Sequence, residues 1–207
     1  MTLIVEVPYC EWLLGGKICP APFDQWLRAF PELWRETLQQ KRRALKHVTI
    51  YTDGGCIGNP GPGGYGVVLL YGGHRKELSG GYRLTTNNRM ELTAAIVGLG
   101  ALRTPCDVTL HSDSEYLVTS MRAGLPEKWK ANGWRRGKKR GRALNTDLWD
   151  QVLTLCATHH VKFEWVRGHS GDVENERCDQ LSQAAARRSR LPTDLGYEGQ
   201  GVERISI

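Results

Sequence analysis

The chain has 207 residues, 40% apolar, 24% charged and 8% aromatic, with a formal net charge of +6. That length exceeds one domain of roughly 150 residues and suffices to bury a sizeable core, and the composition excludes a wholly disordered chain. No apolar run approaches the ~18 residues of a spanning helix, no basic-then-apolar leader opens the sequence, and the six cysteines form no C-x-x-C pair or disulfide scaffold. A reduced, cytoplasmic protein with no membrane partner is the expectation.

Residues 1–46 form a first section. Pro20 and Pro22 precede Phe23, Trp26, Leu27, Phe30, Leu33, Trp34 and Leu38, spaced near a helical period, with Pro31 kinking or splitting the helix. This predicts a helical N-terminal extension of unknown role. Its apolar stripe favours docking on the rest of the chain or self-association, and a partner-binding role stays open.

From His47 the pattern alternates and is β-branched, predicting a strand that ends at Asp53. The glycines and prolines of 54–64 then read as a tight loop. Strands at about 65–71 and 75–83 follow as an antiparallel meander through Gly72-Gly73. Thr86-Asn87-Asn88 signals a helix start. The helix over 87–103 is apolar on nearly every side, with only Arg89, Glu91 and Arg103 charged, so it belongs in the interior. Val108–Asp113 reads as a fourth strand and 114–123 as a helix.

The segment 126–142 holds 8 Lys/Arg and 1 acid, whereas the remainder of 47–193 holds 12 and 13. The basicity is therefore one patch, with Trp129 and Trp134 between its cations. That mixture suits nucleic-acid contact as well as a solvated loop. A helix over 144–158, a strand over 161–166 and a last helix over about 173–190 complete the section. The order βββ-α-β-α-α-β-α predicts an α/β fold, a mixed five-stranded sheet flanked by helices. The units are an extension 1–46, a domain 47–193 and a tail 194–207.

Asp53 and Asp113 close two strands, Glu91 lies in the first turns of the most apolar helix, and Asp179 lies in the last helix. Each alone has an ordinary reading: a turn residue, a helix cap, a partner for a helix dipole, a surface charge. If the first and fourth strands are parallel neighbours, however, Asp53 and Asp113 leave the same end of the sheet. Converging buried carboxylates must be protonated or hold a cation. All-oxygen ligands favour Mg²⁺, with Mn²⁺ as substitute, and several carboxylates can hold a pair of such ions.

The segments Thr52–Gly66, Thr85–Leu92, Ser112–Ser114, Gly168-His169 and Glu174–Asp179 stand in an order and spacing that closely resemble bacterial ribonuclease HI, in the type 1 ribonuclease H family. The likeness spans about 47–200 and leaves the N-terminal extension unmatched. It implies a ribonuclease H-like fold. It also implies a two-metal site of Asp53, Glu91, Asp113 and Asp179, with His169 as a loop histidine assisting proton transfer or product release. Asn59, Asn87 and Asn88 match residues that contact an RNA–DNA hybrid, as does the position of Glu115, often Gln in the family. Thr86 and Asn145 match a pocket for a DNA phosphate. Trp129, Lys130, Trp134 and Arg135 fall in the basic protrusion that holds the DNA strand. Where the pattern has Arg two residues before Thr86, this chain has Leu84.

The implied activity is endonucleolytic hydrolysis of the RNA strand of RNA–DNA hybrids without base specificity, leaving 5′-phosphate and 3′-hydroxyl ends. A hybrid-binding or assembly module without catalysis is the alternative, and an integrase-like nuclease on the same fold is a third reading. A monomer is expected, with self-association through 1–46 left open.

Overall fold

The computed structural model describes residues 45–137 and 141–199. The expected helical extension therefore lies outside the described residues, apart from Leu45 and Lys46. Five strands form one sheet in the order β3-β2-β1-β4-β5. They are β1 (Lys46–Cys56), β2 (Gly61–Tyr71), β3 (His74–Thr85), β4 (Cys106–Ser112) and β5 (His160–Trp165). β1, β2 and β3 are an antiparallel meander, while β4 pairs in parallel with both β1 and β5. The mixed five-stranded sheet inferred from the sequence is thus observed.

The helices are α1 (Asn87–Gly100), α2 (Glu115–Arg122), α3 (Leu125–Ala131), α4 (Thr146–Thr158), α5 (Val173–Ala186) and the short α6 (Leu195–Glu198). None among the described residues is long and apolar enough to cross a membrane. One face of the sheet carries α1, with α4 packed behind it, and the other face carries α5. Alternation along β1 assigns the faces. Val48 and Ile50 enter the core with Val67, Leu92, Leu99, Leu110 and Trp149, whereas the half-buried Thr49, Tyr51 and Asp53 look toward α5. The all-round apolar α1 buries Met90, Leu92, Ala94, Ala95 and Leu99 completely, as its sequence requires.

Two elements differ from the sequence reading. The glycine tract after Asp53 is not a loop throughout. β1 runs on to Cys56 and β2 starts at Gly61, so that Gly54, Gly55 and Cys56 pair with Tyr65, Gly64 and Gly63. Glycine was read as punctuation, but here it serves close approach. A Cβ on Gly54 would lie 2.3 Å from the Met90 carbonyl carbon, and one on Gly66 would lie 2.1 Å from the Cys178 oxygen. The bare backbone lets α1 and α5 press onto opposite faces of the sheet, next to Asp53. The basic patch also contains a helix, α3, introduced by Pro126 in its first turn.

Residues 187–194 leave α5, cross the edge strand β3 and rejoin the α1 face. The Arg83 amide donates to the Pro192 carbonyl at 2.9 Å, which blunts an otherwise open edge. Asp194 is buried, so the tail starting there begins inside the fold.

Candidate active site

Parallel pairing of β1 with β4 sets Thr52 opposite Ser112, which brings Asp53 and Asp113 level at one end of the sheet. Gly54 admits the first turns of α1, which carry Glu91, and Gly66 admits the stretch of α5 that carries Asp179. Ser114, not Asp113, caps α2, accepting from the Leu117 amide at 3.1 Å. Asp113 is thereby released from the ordinary use of an Asp before a helix.

Asp53 and Glu91 sense the carboxylates around them. Burial pushes Asp53 up to about 6; a Ser182 hydrogen bond opposes the shift, and the charges of Asp113 and Asp179 add to it. Burial likewise pushes Glu91 up to about 7, with Ser114 opposing and Asp53 and Asp113 adding. Each carboxylate is also held by a neutral donor that the sequence reading missed. The Ser182 hydroxyl donates to Asp53 at 2.6 Å, and the Ser114 hydroxyl to Glu91. Asn175 Nδ2 donates to Asp113 at 3.3 Å, and Gln183 Nε2 to both Asp179 oxygens at 2.9 and 3.0 Å. Asn175 is 2% exposed and its Oδ1 has no partner.

As the side chains stand, no group of three or more His, Cys, Asp or Glu among the described residues is disposed to hold a metal ion. The donor chemistry nevertheless fits a hard divalent cation. All four groups offer oxygen, and two are raised by burial and by like charge, a penalty that a cation between them would relieve.

His169 is on the loop between β5 and α5. Its side chain is 79% exposed, and its Nδ1 lies 4.0 Å from Asp179 Oδ2. The loop is shaped by left-handed backbone at His169 and Gly171, and the Gly171 amide donates to Glu176 at 3.0 Å. Gly168 is required by space, since a Cβ there would lie 2.8 Å from an Asp113 oxygen. Trp165, also missed, donates its indole N–H to the Asp113 carbonyl at 3.2 Å.

Asn59 and Asn87 fasten the glycine hairpin to α1. Asn87 Oδ1 accepts from the Cys56 amide at 2.8 Å, and Asn59 Oδ1 accepts from the Asn87 amide at 3.3 Å. Asn88 and Glu115 are exposed. Thr86 is the extended residue before α1, and Asn145 is a left-handed residue before α4; neither side chain caps its helix. One turn into each helix, Arg89 donates from both terminal nitrogens to Asp147 at 3.0 and 2.7 Å. This bidentate pair ties together the two helix starts that follow Thr86 and Asn145.

The basic patch divides. Trp129 stands edge-on to Trp149, with centroids 6.0 Å apart, and both Trp129 and Trp134 pack against the core. Lys130 pairs with Asp150 at 2.6 Å. Arg135 and Arg136 are exposed, and residues 135 and 142 form an isolated bridge that closes the segment. The indoles anchor the protrusion, and the arginines face outward.

A family model described as RNase H matches residues 45–187. The chain is 64% identical over 152 residues to the ribonuclease H of Syntrophus aciditrophicus (strain SB), covering 73% of this chain and 87% of that protein. It is 54% identical over 151 residues to the ribonuclease HI of Synechocystis sp. (strain ATCC 27184 / PCC 6803 / Kazusa), covering 72% and 94%. Among solved structures, LC9-RNase H1, a type 1 RNase H with the type 2 active-site motif, superposes with a TM-score of 0.60 at 33% identity, over 69% of this chain and 72% of that one. LC11-RNase H1 in complex with an RNA/DNA hybrid superposes with a TM-score of 0.53 at 26% identity, over 67% and 96%. With that identity and coverage, on a sheet of this topology, the chain belongs to the ribonuclease H family and is a ribonuclease H enzyme.

Proposed function

We propose that this ribonuclease H hydrolyses the RNA strand of RNA–DNA hybrids endonucleolytically and without base specificity, leaving 5′-phosphate and 3′-hydroxyl ends. The observation that carries the reading is the convergence of Asp53, Glu91, Asp113 and Asp179 at one sheet end, where burial and neighbouring charge raise Asp53 and Glu91. Binding alone needs no such concentration of negative charge beside a phosphodiester. The solved complex of LC11-RNase H1 with a hybrid supports the substrate class.

Asp53, Glu91, Asp113 and Asp179 would hold a pair of Mg²⁺ ions. Such ions supply an activated water and neutralise the charge that develops on a leaving oxygen. The chain's own residues do the rest. Ser182, Ser114, Asn175 and Gln183 hold the carboxylates in place. His169 offers an exposed imidazole beside Asp179, able to hold a proton at Nδ1 or release it. Neutral amides at Asn59, Asn87 and Asn88 suit 2′-hydroxyls, which mark RNA whatever its bases. Thr86 and Asn145 take a phosphate of the DNA strand, and Arg135 and Arg136 give the same strand a cationic wall.

The test uses a hybrid labelled on the RNA strand, incubated with Mg²⁺ or with EDTA, beside single-stranded RNA and both homoduplexes. Mg²⁺-dependent cutting of hybrid RNA alone is expected. Tight hybrid binding without cleavage in either Mg²⁺ or Mn²⁺ would instead favour the non-catalytic binding module.

Leu84 makes a specific prediction about the phosphate pocket. Its side chain is 39% exposed two residues before Thr86, and Arg83 does not replace a cation there. Its guanidinium is engaged by Glu198, through Nε at 3.1 Å and Nη2 at 2.6 Å. Leu84→Arg should therefore lower KM for hybrid about 3- to 10-fold at low salt while leaving kcat nearly unchanged, because one added phosphate contact changes binding more than chemistry. Steady-state kinetics at two salt concentrations decide it, and an unchanged KM would remove Leu84 from the DNA path.

A further inference from the structure

The tail that crosses the edge of the sheet carries a feature that the carboxylate site does not use. Between α5 and Pro192, the segment ARRSRLP brings Arg187, Arg188 and Arg190 close together in sequence. Both ends of this crossing are fixed: α5 precedes it, and the Arg83–Pro192 backbone bond and the buried Asp194 follow it. Beneath it lies an open depression of about 220 Å³, lined by Tyr65, Tyr82, Arg188 and Arg190 among others, with Gly80 and Gly81 as a floor and no carboxylate. Arg188 Nη2 donates to Ser79 Oγ at 2.8 Å. Burial pushes the Tyr65 phenol up, and the charge of Arg188, which lines the same depression, opposes that shift. Among the described residues, neither Arg188 nor Arg190 forms an ion pair.

The position of this groove gives it a use. Tyr65 pairs with Gly54, the residue after Asp53, and Tyr82 pairs with Gly63 one strand further out. Neighbouring strands are about 4.8 Å apart, so the stretch of β3 at the groove lies roughly 10 Å across the sheet from Asp53, with the two tyrosines on the α1 side of the sheet edge. At about 3.4 Å per step along one strand, that is about three base pairs from the cut.

We propose that this tyrosine–arginine groove is a second backbone-contact site, which takes a phosphodiester of the hybrid a few base pairs to one side of the scissile bond. Arg188 and Arg190 supply planar, permanently charged donors that match phosphate oxygens, and the tyrosine rings pack against the adjoining sugar. Gly80 gives up its side chain to the Tyr65 ring, whose hydroxyl would lie 2.4 Å from a Cβ there, which holds that ring at the groove. The proposal rests on the hybrid as substrate and adds to it an asymmetric demand on duplex length.

The experiment measures binding of fluorescent hybrid to the full chain in EDTA, and cleavage in Mg²⁺, for the wild type, Arg190→Ala and Arg188→Ala/Arg190→Ala. Duplexes are trimmed on one side or the other of a short cleavable RNA tract. Arg190→Ala removes an exposed side chain, so it keeps the test valid even if the double variant, which loses the Ser79 bond, melts early. The expected result is a loss of affinity of about 3- to 10-fold on the long duplex, with the log–log salt slope reduced by about 1 to 2. Trimming on one side should weaken the wild type to the level of the double variant, and trimming on the other side should affect both alike. Equal affinities and equal salt slopes for wild type and variants would overturn the groove while leaving hybrid cleavage intact. A wild type that neither binds nor cuts hybrid would overturn the hydrolase reading itself.

Discussion

Asp53→Asn is expected to abolish cleavage of hybrid RNA and, in EDTA at pH 8, to raise the melting temperature. Both effects have one cause. Asp53 is held among Glu91, Asp113 and Asp179, and burial, with the charges of Asp113 and Asp179, pushes it up to about 6 from 3.8. An acid whose folded pKa lies above its unfolded one binds its proton more tightly when folded. Its ionisation therefore subtracts stability as pH rises from about 4 through the folded value, and the loss is complete at neutrality. Glu91, raised to about 7 from 4.5, acts with the same sign through about pH 7. A two-unit shift at a half-buried group corresponds to about 2 kcal/mol after allowance for solvent screening.

The amide carries no charge, and its oxygen still accepts from Ser182. In EDTA the variant should thus melt about 4–8 °C higher at pH 8, with little difference at pH 4, where both forms are neutral. Removing the Asp53 charge also lowers the pressure on Glu91, so the whole pH profile flattens. The same negative charge is what would hold the cations, and losing it should reduce kcat by at least about 10³-fold, some 4 kcal/mol of transition-state stabilisation. Thermal melts across pH with EDTA or Mg²⁺, beside single-turnover cleavage, check both halves. Added Mg²⁺ should stabilise the wild type and leave the variant nearly unmoved. A variant that is no more stable than wild type at pH 8 in EDTA would show that the carboxylates do not strain the fold.

What was legible in the chain follows from the range of its signals. The strands around Ile50, Leu110 and Phe163 announce themselves by local alternation, the helix around Leu92 by its start signal and an all-round apolar run, and the parallel pairing that levels Asp53 with Asp113 follows from a helical crossover. The carboxylates stood out because charge on a buried helix, or at a strand end between glycines, has few bland uses. Ser114, Ser182, Asn175 and Gln183 gave no such signal. A Ser or Asn that donates to a carboxylate 23 to 129 positions away looks in sequence like any other on a helix, and Gln183, one turn from Asp179, looks like an ordinary surface pair. The glycine hairpin was misread because glycine permits both a turn and close packing, and only the approach of Met90 and Cys178 decides between them. Trp129 and Trp134 looked equally suited to stacking or anchoring, until Trp149 supplied the surface that Trp129 packs on. Arg89 did leave a trace, as a lone cation on an otherwise apolar helix, but its partners are 58 and 105 residues away.

Arg89→Ala should accordingly be among the most destabilising single changes in the domain, costing about 3–5 kcal/mol and lowering the melting temperature by about 10 °C. Arg89 is 3% exposed and Asp194 4%. The guanidinium donates to Asp194 from Nε at 2.7 Å and from Nη2 at 2.8 Å, and Thr85 Oγ1 adds a third bond to that carboxylate at 2.7 Å. Burial alone would raise the Asp194 carboxyl, but these bonds outweigh it and hold the pKa below the usual value. The contribution of the pair is therefore present above about pH 4 and fades as pH falls through the folded pKa.

Removing Arg89 strands two carboxylates, one of them fully buried, whereas Asp194→Ala leaves Arg89 its bidentate contact with Asp147. The first loss should exceed the second. Arg89→Lys should fall between, because a point charge cannot serve two forks at once. Arg89→Met combined with Asp194→Leu should recover part of the loss, since replacing a buried pair by apolar groups leaves no stranded charge. Urea titration of the four variants orders them. The same cluster ties the helix starts that follow Thr86 and Asn145 and pins the tail that forms the tyrosine–arginine groove, so Arg89→Met/Asp194→Leu, assayed below its melting point, should raise KM for hybrid with far less change in kcat. Equal effects on both parameters would mean that the cluster also holds the carboxylates.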